Sequence, residues 1–362
     1  MNTIEAQLHQ TRKVNEANMD LFRVSVMIFV LGWHYVGYFH EKELSGWLFT
    51  FFYFLKHNFV IAVNCFVLMS GYFLYNNIFR ISKAVLLLLK TTMYSVILYF
   101  IFSNLGYGDF SIPLLIKSFL PLRGWWFMFP YFIMYILSPY INTLCRDLSS
   151  KSFTNLMIML FIIEVIWPSF VPASAIDVQG GYSLYNFLFL YITGVYFRRF
   201  STAYKSWQIL LVYMVVVTAG TSIHYLIQYP KVLPDIGKIS VRFYNYNFLS
   251  VAIPAILFFL VFKKIKLNKP SLSFIRPHIL AVYLIHKHVN VEAFWFRTVF
   301  HVGKVYSWPF LLLHMIAFIT VTFILSILID YLLSKIFEKP FLFIAEKTEK
   351  YLIKTFSSNT EN

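Results

Sequence analysis

Charge is scarce in this chain. Only 13% of its 362 residues are Asp, Glu, Lys or Arg, about half of what a soluble domain of this length needs to keep its surface in water. A purely soluble globular fold is thereby excluded. Cysteine is scarcer still. The two present, Cys65 within an apolar run and Cys145 at an expected helix end, argue against a disulfide framework or a thiolate metal site. Glycine and proline, 13 of each, are too few and too scattered for a repetitive or disordered chain. The short alternating segments of a transmembrane barrel are missing. The opening MNTIEAQLHQTRKVNEA is polar and lacks the short apolar core and small-residue site of a cleavable signal. The first helix is therefore expected to be retained. No phosphate-cradling glycine loop, nucleophile elbow or HExxH metal helix is found.

What is present is apolar: 59% of the residues are hydrophobic and 20% aromatic, with a mean hydropathy of +0.66. A chain that uses lipid as its solvent must satisfy its backbone internally, and apolar runs of about 17 to 25 residues mean helices. The expected fold is all-α: a polytopic membrane helix bundle of about ten transmembrane helices. They fall near 18–39, 58–76, 84–104, 125–142, 153–171, 184–198, 207–228, 246–263, 278–297 and 306–334. The sixth is short, and the ninth carries Lys287 and two histidines. Either is open to being broken, re-entrant or partly solvated.

The net charge of +15 admits a nucleic-acid reading and a topological one. No soluble basic face exists to lie on a duplex, so topology is taken and no nucleic-acid partner is expected. With the N-terminus cytoplasmic, 19 of the 31 Lys and Arg residues fall inside, 9 fall outside (Lys56 among them), and Arg23, Lys90 and Lys287 remain within spans. That bias follows the positive-inside rule and puts both termini in the cytoplasm. The division expected is a cytoplasmic segment 1–17, one transmembrane domain 18–335 and a mixed-charge cytoplasmic tail 336–362.

An ionisable side chain inside a span costs roughly 2.5–3.5 kcal/mol at the helix centre, which makes it a functional candidate unless it reaches the interface. The first helix carries Asp20, Arg23 and His34. Arg23 and His34 are eleven residues apart, which returns within about 20° of the same helix face over a rise of about 16 Å. Asp20 sits one turn before Arg23 and can pair with it. Arg23 is also readable as a cytoplasmic anchor, and His34 as an interhelical hydrogen bond. A buried imidazole that stays neutral keeps a lone pair, the form a general base needs to take a proton from a hydroxyl nucleophile.

Other candidates follow along the chain. Ser70-Gly71 in AVNCFVLMSGYFLY is a small-residue pair suited to close helix packing, or to chemistry at Ser70. Arg80 and Lys83, three apart at an expected cytoplasmic face, suit either a phosphate-bearing ligand or simple anchoring. Arg123-Gly-Trp-Trp126 on the opposite side suits an interfacial belt, or a surface on which sugar rings stack. In the ninth span, Tyr283, His286 and Asn290 share a helical face and are expected to line a polar cavity. His286 and His288 are two apart and cannot form a zinc pair, so no metal site is expected. Glu164, Lys90 and His224 are isolated polar residues with no partner in view.

Together these residues resemble a family. Arg23, ten intervening residues and His34 resemble the first-helix signature of the acyltransferase 3 family of integral membrane acyltransferases. FVLMSGYFLY, Arg80-x-x-Lys83, GWWFMFPYFIMYILSP, LYITGVYF and VYLIH resemble its later segments in order. The likeness runs from about 18 to 335, most of the chain. It implies transfer of an acyl group, usually acetyl, from acyl-CoA to a hydroxyl of a glycan, with no tightly bound cofactor. His34 is implied as the catalytic residue and Arg23 as its partner on the acyl-CoA path. Arg80 and Lys83 are implied as holders of the CoA phosphates. Lys83 departs from the arginine frequent there; Lys binds phosphate as a point charge rather than a fork. No fused extracytoplasmic hydrolase-like domain, as in some peptidoglycan-modifying members, is expected. A surface or capsular polysaccharide, or its lipid-linked precursor, is the implied acceptor, in the cell membrane. Whether His34 acts as a base or carries the acyl group stays open. So does a rival class, a transporter or flippase for a lipid-linked oligosaccharide, which would need no acyl-CoA. A glycan polymerase would need larger outer loops.

Overall fold

The structure is a computed structural model that describes residues 17–39, 46–120, 122, 124–171, 179–228, 241–267, 272–304 and 307–358. Residues 1–16, most of the expected N-terminal segment, and Arg123 lie outside the described residues. Helices account for most of the rest, and no strand occurs among the described residues. They are α1 (Ala17–Gly37), α2 (Gly46–Phe59), α3 (Ala62–Leu74), α4 (Ile81–Asn104), α5 (Ile112–Ser118), α6 (Met128–Asp147) and α7 (Ser150–Phe170, with a π turn at Ile162–Ile166). There follow α8 (Leu184–Arg199), α9 (Ser206–Gln228), α10 (Leu249–Lys264), α11 (Ile279–His286), α12 (Val289–Glu292, continued as a π-helix over Ala293–Val299) and α13 (Phe310–Ser358).

Seven helical stretches among the described residues are long and apolar enough to cross a membrane: α1, α2 with α3, α4, α7, α9, Arg242–Lys264 and α13. Three others expected as spans fall short of that standard. α8 has only 16 residues, α6 is interrupted by Pro139 and by Ser, Tyr and Asn, and α11 stops after eight residues. Their burial against neighbouring helices replaces the lipid-facing apolarity that a lone span requires.

One boundary differs from that expected, and one segment left open to a break has one. The second apolar segment begins at Gly46, not near 58, because Lys56 and His57 are buried inside α2 rather than lying in a loop. The ninth segment is broken. The Lys287 and His288 amides donate back to Tyr283 and Ile285, His288 takes an extended conformation, and the chain restarts as α12. α13 runs unbroken for 49 residues, about 70 Å and more than twice the hydrocarbon thickness of a bilayer. Its far end returns to the start of α4, where the Ser82 amide donates to Glu349 at 3.3 Å.

The closest helix pair around the core is α3 with α8. A Cβ on Gly71 would lie 2.0 Å from the Tyr191 carbonyl oxygen, and one on Gly194 would lie 2.1 Å from the Leu68 carbonyl oxygen. The two backbones therefore touch, as small residues permit in lipid. Gly194→Leu is expected to force them apart and to cost at least about 1–3 kcal/mol, read as a sharp fall in detergent-extractable, monodisperse protein. Wild-type yield and melting temperature in that variant would contradict the packing described. Lys90, isolated in the sequence, has a partner after all. It donates to Asp330 at 2.9 Å, and Asp330 also binds His278 Nδ1 at 2.7 Å and the Tyr94 hydroxyl at 2.6 Å. His224 packs among the rings of Tyr53, His57, Phe243 and Tyr244. Glu164 sits in the π turn of α7.

Candidate active site

Between α1, α3, α6 and α11 lies a cavity of about 280 Å³. Arg23 and His34 both line it, as do Ser70, Trp126 and Tyr283. The helical register of α1 thus aims the two ionisable side chains into one space. Three more polar side chains that the sequence did not single out join them: Tyr131, Tyr246 and Arg276.

One end of the cavity is basic. Asp20, 1% exposed, accepts from Arg23 Nη1 at 2.7 Å and from Arg276 Nε and Nη2, each at 2.9 Å. The carboxylate is thus shared between a residue three positions away and one 256 positions away. Arg23 also lies 4.8 Å from the Phe73 ring centroid, a cation–π contact that fixes its guanidinium plane. Asp20 itself stands behind the arginines and does not line the cavity.

The other end is aromatic. Trp126 lines the cavity and is 40% exposed. Its ring lies 4.4 Å from that of Tyr182 and stacks on Tyr246 at 5.5 Å. Trp33 closes the same region against Tyr244.

His34 sits between these ends, partly accessible. Its Nδ1 lies 2.9 Å from His286 Nε2, and His286 Nδ1 bonds the carbonyl of Val282. A carbonyl oxygen can only accept, so His286 carries its proton on Nδ1 and a neutral His286 offers Nε2 as an acceptor. The proton between the rings then belongs to His34 Nδ1, and the His34 Nε2 lone pair is left for the cavity. This is the tautomer logic by which one ring nitrogen's bond decides what the other can do.

His286 is fully buried behind His34 rather than lining the cavity. Asn290 does not share its face, contrary to the helical reading of 283–290. The break at Lys287 resets the register, and the Asn290 amide packs on Gly108 instead, where a Cβ would lie 2.8 Å away. The break also lets Lys287 pair with Glu292 at 2.7 Å, and Glu292 accept from the Tyr38 hydroxyl at 2.7 Å. Ser70 donates to its own helix at Phe66 and lies 3.4 Å from the Tyr131 hydroxyl. Its neighbour Gly71 makes the α8 contact, so the pair divides between site and packing. Arg80 and Lys83 are exposed at the start of α4 and do not line this cavity. Among the described residues no cluster of three or more His, Cys, Asp or Glu side chains could hold a metal ion.

Fold and site together define a helical membrane protein with an ionisable pair enclosed in its core. The comparisons give the family. A family model described as an acyltransferase domain matches residues 16–331. The chain belongs to the acyltransferase 3 family, and is a membrane acyltransferase. Comparisons with curated proteins and with solved structures give no significant match.

Proposed function

We propose that this enzyme moves an acyl group, usually acetyl, from acyl-CoA to a hydroxyl of a cell-surface polysaccharide or its lipid-linked precursor. In this reading it works in the cell membrane with its basic end towards the cytoplasm. Acyl-CoA is too large and too anionic to cross lipid, so its phosphates stay at the basic end while the thin pantetheine arm carries the thioester inward past Arg23. The roughly 16 Å between Arg23 and His34 along the helix suits such an arm. The acceptor enters from the aromatic end, past Trp126.

The observation that carries this reading is His34, bonded through Nδ1 to His286 Nε2 and so placed with Nε2 towards a cavity that Arg23 also lines. His34 takes the proton of the acceptor hydroxyl as its oxygen attacks the thioester carbonyl. The tetrahedral adduct collapses, the C–S bond breaks, and the imidazolium returns the proton to the departing thiolate. No net proton is gained or lost. His286 acts through His34 as a positioning residue. His286→Leu is expected to lower kcat about 10²-fold or more. His286→Gln keeps a carbonyl to accept from His34 and an NH₂ to donate to Val282, and should retain most of it. Equal loss in both variants would reduce His286 to packing.

The direct test incubates membranes with radiolabelled acetyl-CoA and a glycan acceptor and looks for base-labile label in the glycan. Label that depends on the protein supports the reading. Movement of lipid-linked oligosaccharide without any acyl transfer would put the flippase reading in its place.

A further inference from the structure

α13 is longer than a bilayer is thick, and the part that outruns it keeps one face in register with the part that spans. Within the span, that face is exposed at Leu325, Ile329, Leu332 and Ile336, 39% to 64% each. Large aliphatic side chains left open on a spanning helix meet lipid tails. At 100° per residue the same stripe continues as Lys339, Phe343, Lys347, Lys350 and Lys354, all within about 60° of Ile336 and all exposed. Ala345, on the opposite side, is fully buried. The stripe thus turns from aliphatic to cationic while the helix runs on unbroken. Glu338, Glu346 and Glu349 lie further round the helix. None of the four lysines has a carboxylate within ion-pair distance among the described residues.

Two contacts fix where this stretch lies. Asp330 binds Lys90 at 2.9 Å, and Glu349 accepts from the Ser82 amide at 3.3 Å. The contacts are about 28 Å apart along α13 but about 12 Å apart along α4. α13 therefore does not run straight past α4 into water. It crosses the first turn of α4, and Pro340, between the two contacts, supplies a point of bending. That turn opens the Ile81–Asn104 span and so marks the edge of the hydrocarbon. An upright tail would carry Lys354 about 22 Å beyond Lys339, clear of a headgroup layer about 5–7 Å deep. A tail tied to Ser82 stays at that layer. Its lysine stems can then lie along the apolar border with their ammonium groups in reach of phosphate.

We propose that Lys339, Lys347, Lys350 and Lys354 form a docking stripe for the anionic phospholipid headgroups of the leaflet at the basic end, with Phe343 set into their apolar border. Lysines without carboxylate partners at a membrane surface are attracted to anionic lipid. The stripe is also continuous with a face that already meets lipid tails. Bound headgroups hold the tail across the start of α4. This assignment is independent of which acyl donor the enzyme uses.

The test uses the full-length protein in vesicles, with a fluorophore attached through Phe343→Cys; the native Cys65 and Cys145 are buried. In vesicles of roughly one-third phosphatidylglycerol, quenching by acrylamide is expected to be about threefold weaker or more than in pure phosphatidylcholine. Raising the ionic strength should remove that difference, with no further change to the protein. Replacing Lys339, Lys347, Lys350 and Lys354 together by glutamine should remove it as well. Equal quenching in the two kinds of vesicle would overturn the assignment. So would a difference that survives both salt and the four substitutions. Shielding that arises in lipid-free micelles and grows with protein concentration would give the stripe to a second copy of the chain instead.

Discussion

Replacing His34 with alanine is expected to lower acyl transfer by ~10²–10⁴-fold, the usual contribution of a positioned general base, with protein level and membrane insertion unchanged. His34 is partly accessible on a cavity wall, so its loss removes a reactive nitrogen without opening a packed core. His34→Asn separates chemistry from support. An asparagine NH₂ can still donate towards His286 Nε2, yet it has no basic nitrogen, so this variant should be as inactive as alanine. Activity near wild type in either variant, measured as label transferred per unit of protein, would remove His34 from the mechanism. Protein-bound acyl label trapped in wild type and lost in both variants would instead favour a covalent role for the imidazole.

The second large effect is expected at Asp20. The carboxylate is 1% exposed and binds Arg23 and Arg276 together. Asp20→Asn preserves shape and strips both guanidiniums of the charge they share. Losing one partner of a buried pair costs on the order of 3–5 kcal/mol. The Arg276 side chain is 38% exposed, so water will screen its portion and the lower end of that range applies. The expected result is a clear fall in melting temperature in detergent together with loss of activity, since Arg23 would no longer be held over Phe73. Combining it with Arg276→Gln should recover part of the stability, because one of the two like charges goes with it. A single variant that melts and turns over as wild type would show that the shared carboxylate does not matter.

What the sequence made legible was local. Asp20, Arg23 and His34 lie within four turns of one helix, where spacing alone decides which residues share a face. Ser70, Trp126 and Tyr283 were found as polar or aromatic breaks in apolar runs, and all three line the cavity. What stayed hidden were partners brought together by the fold: His286 lies 252 residues from His34, Arg276 lies 256 from Asp20, and Asp330 lies 240 from Lys90. Lys90 looked solitary, Asp20 had only Arg23 in view and His34 had no named partner, because the group that completes each is on another helix. Asn290 was misplaced for a different reason. The period of 3.6 residues was carried through a break that nothing in VYLIHKHVN announces by glycine or proline. Lys56 was assigned to a loop by its charge, and its burial against the rings of Tyr53 and Tyr244 is a tertiary contact that composition does not encode.

Two of the long-range bonds of α1 have a mechanical corollary. Asp20 grips Arg276 near one end of α1, and His34 meets His286 fourteen residues further along the same rod. The stretch from Arg276 to His286 is thus riveted to α1 at both extremities. That wall cannot swing like a door. Beside the cavity the α3–α6 side has the long Ser70–Tyr131 contact, its firmer bonds from Asn142 to the Leu74 carbonyl and from Arg146 to the Tyr75 carbonyl lying further along the two helices, so whatever breathing admits a bulky acceptor and lets the product leave is expected beside the cavity.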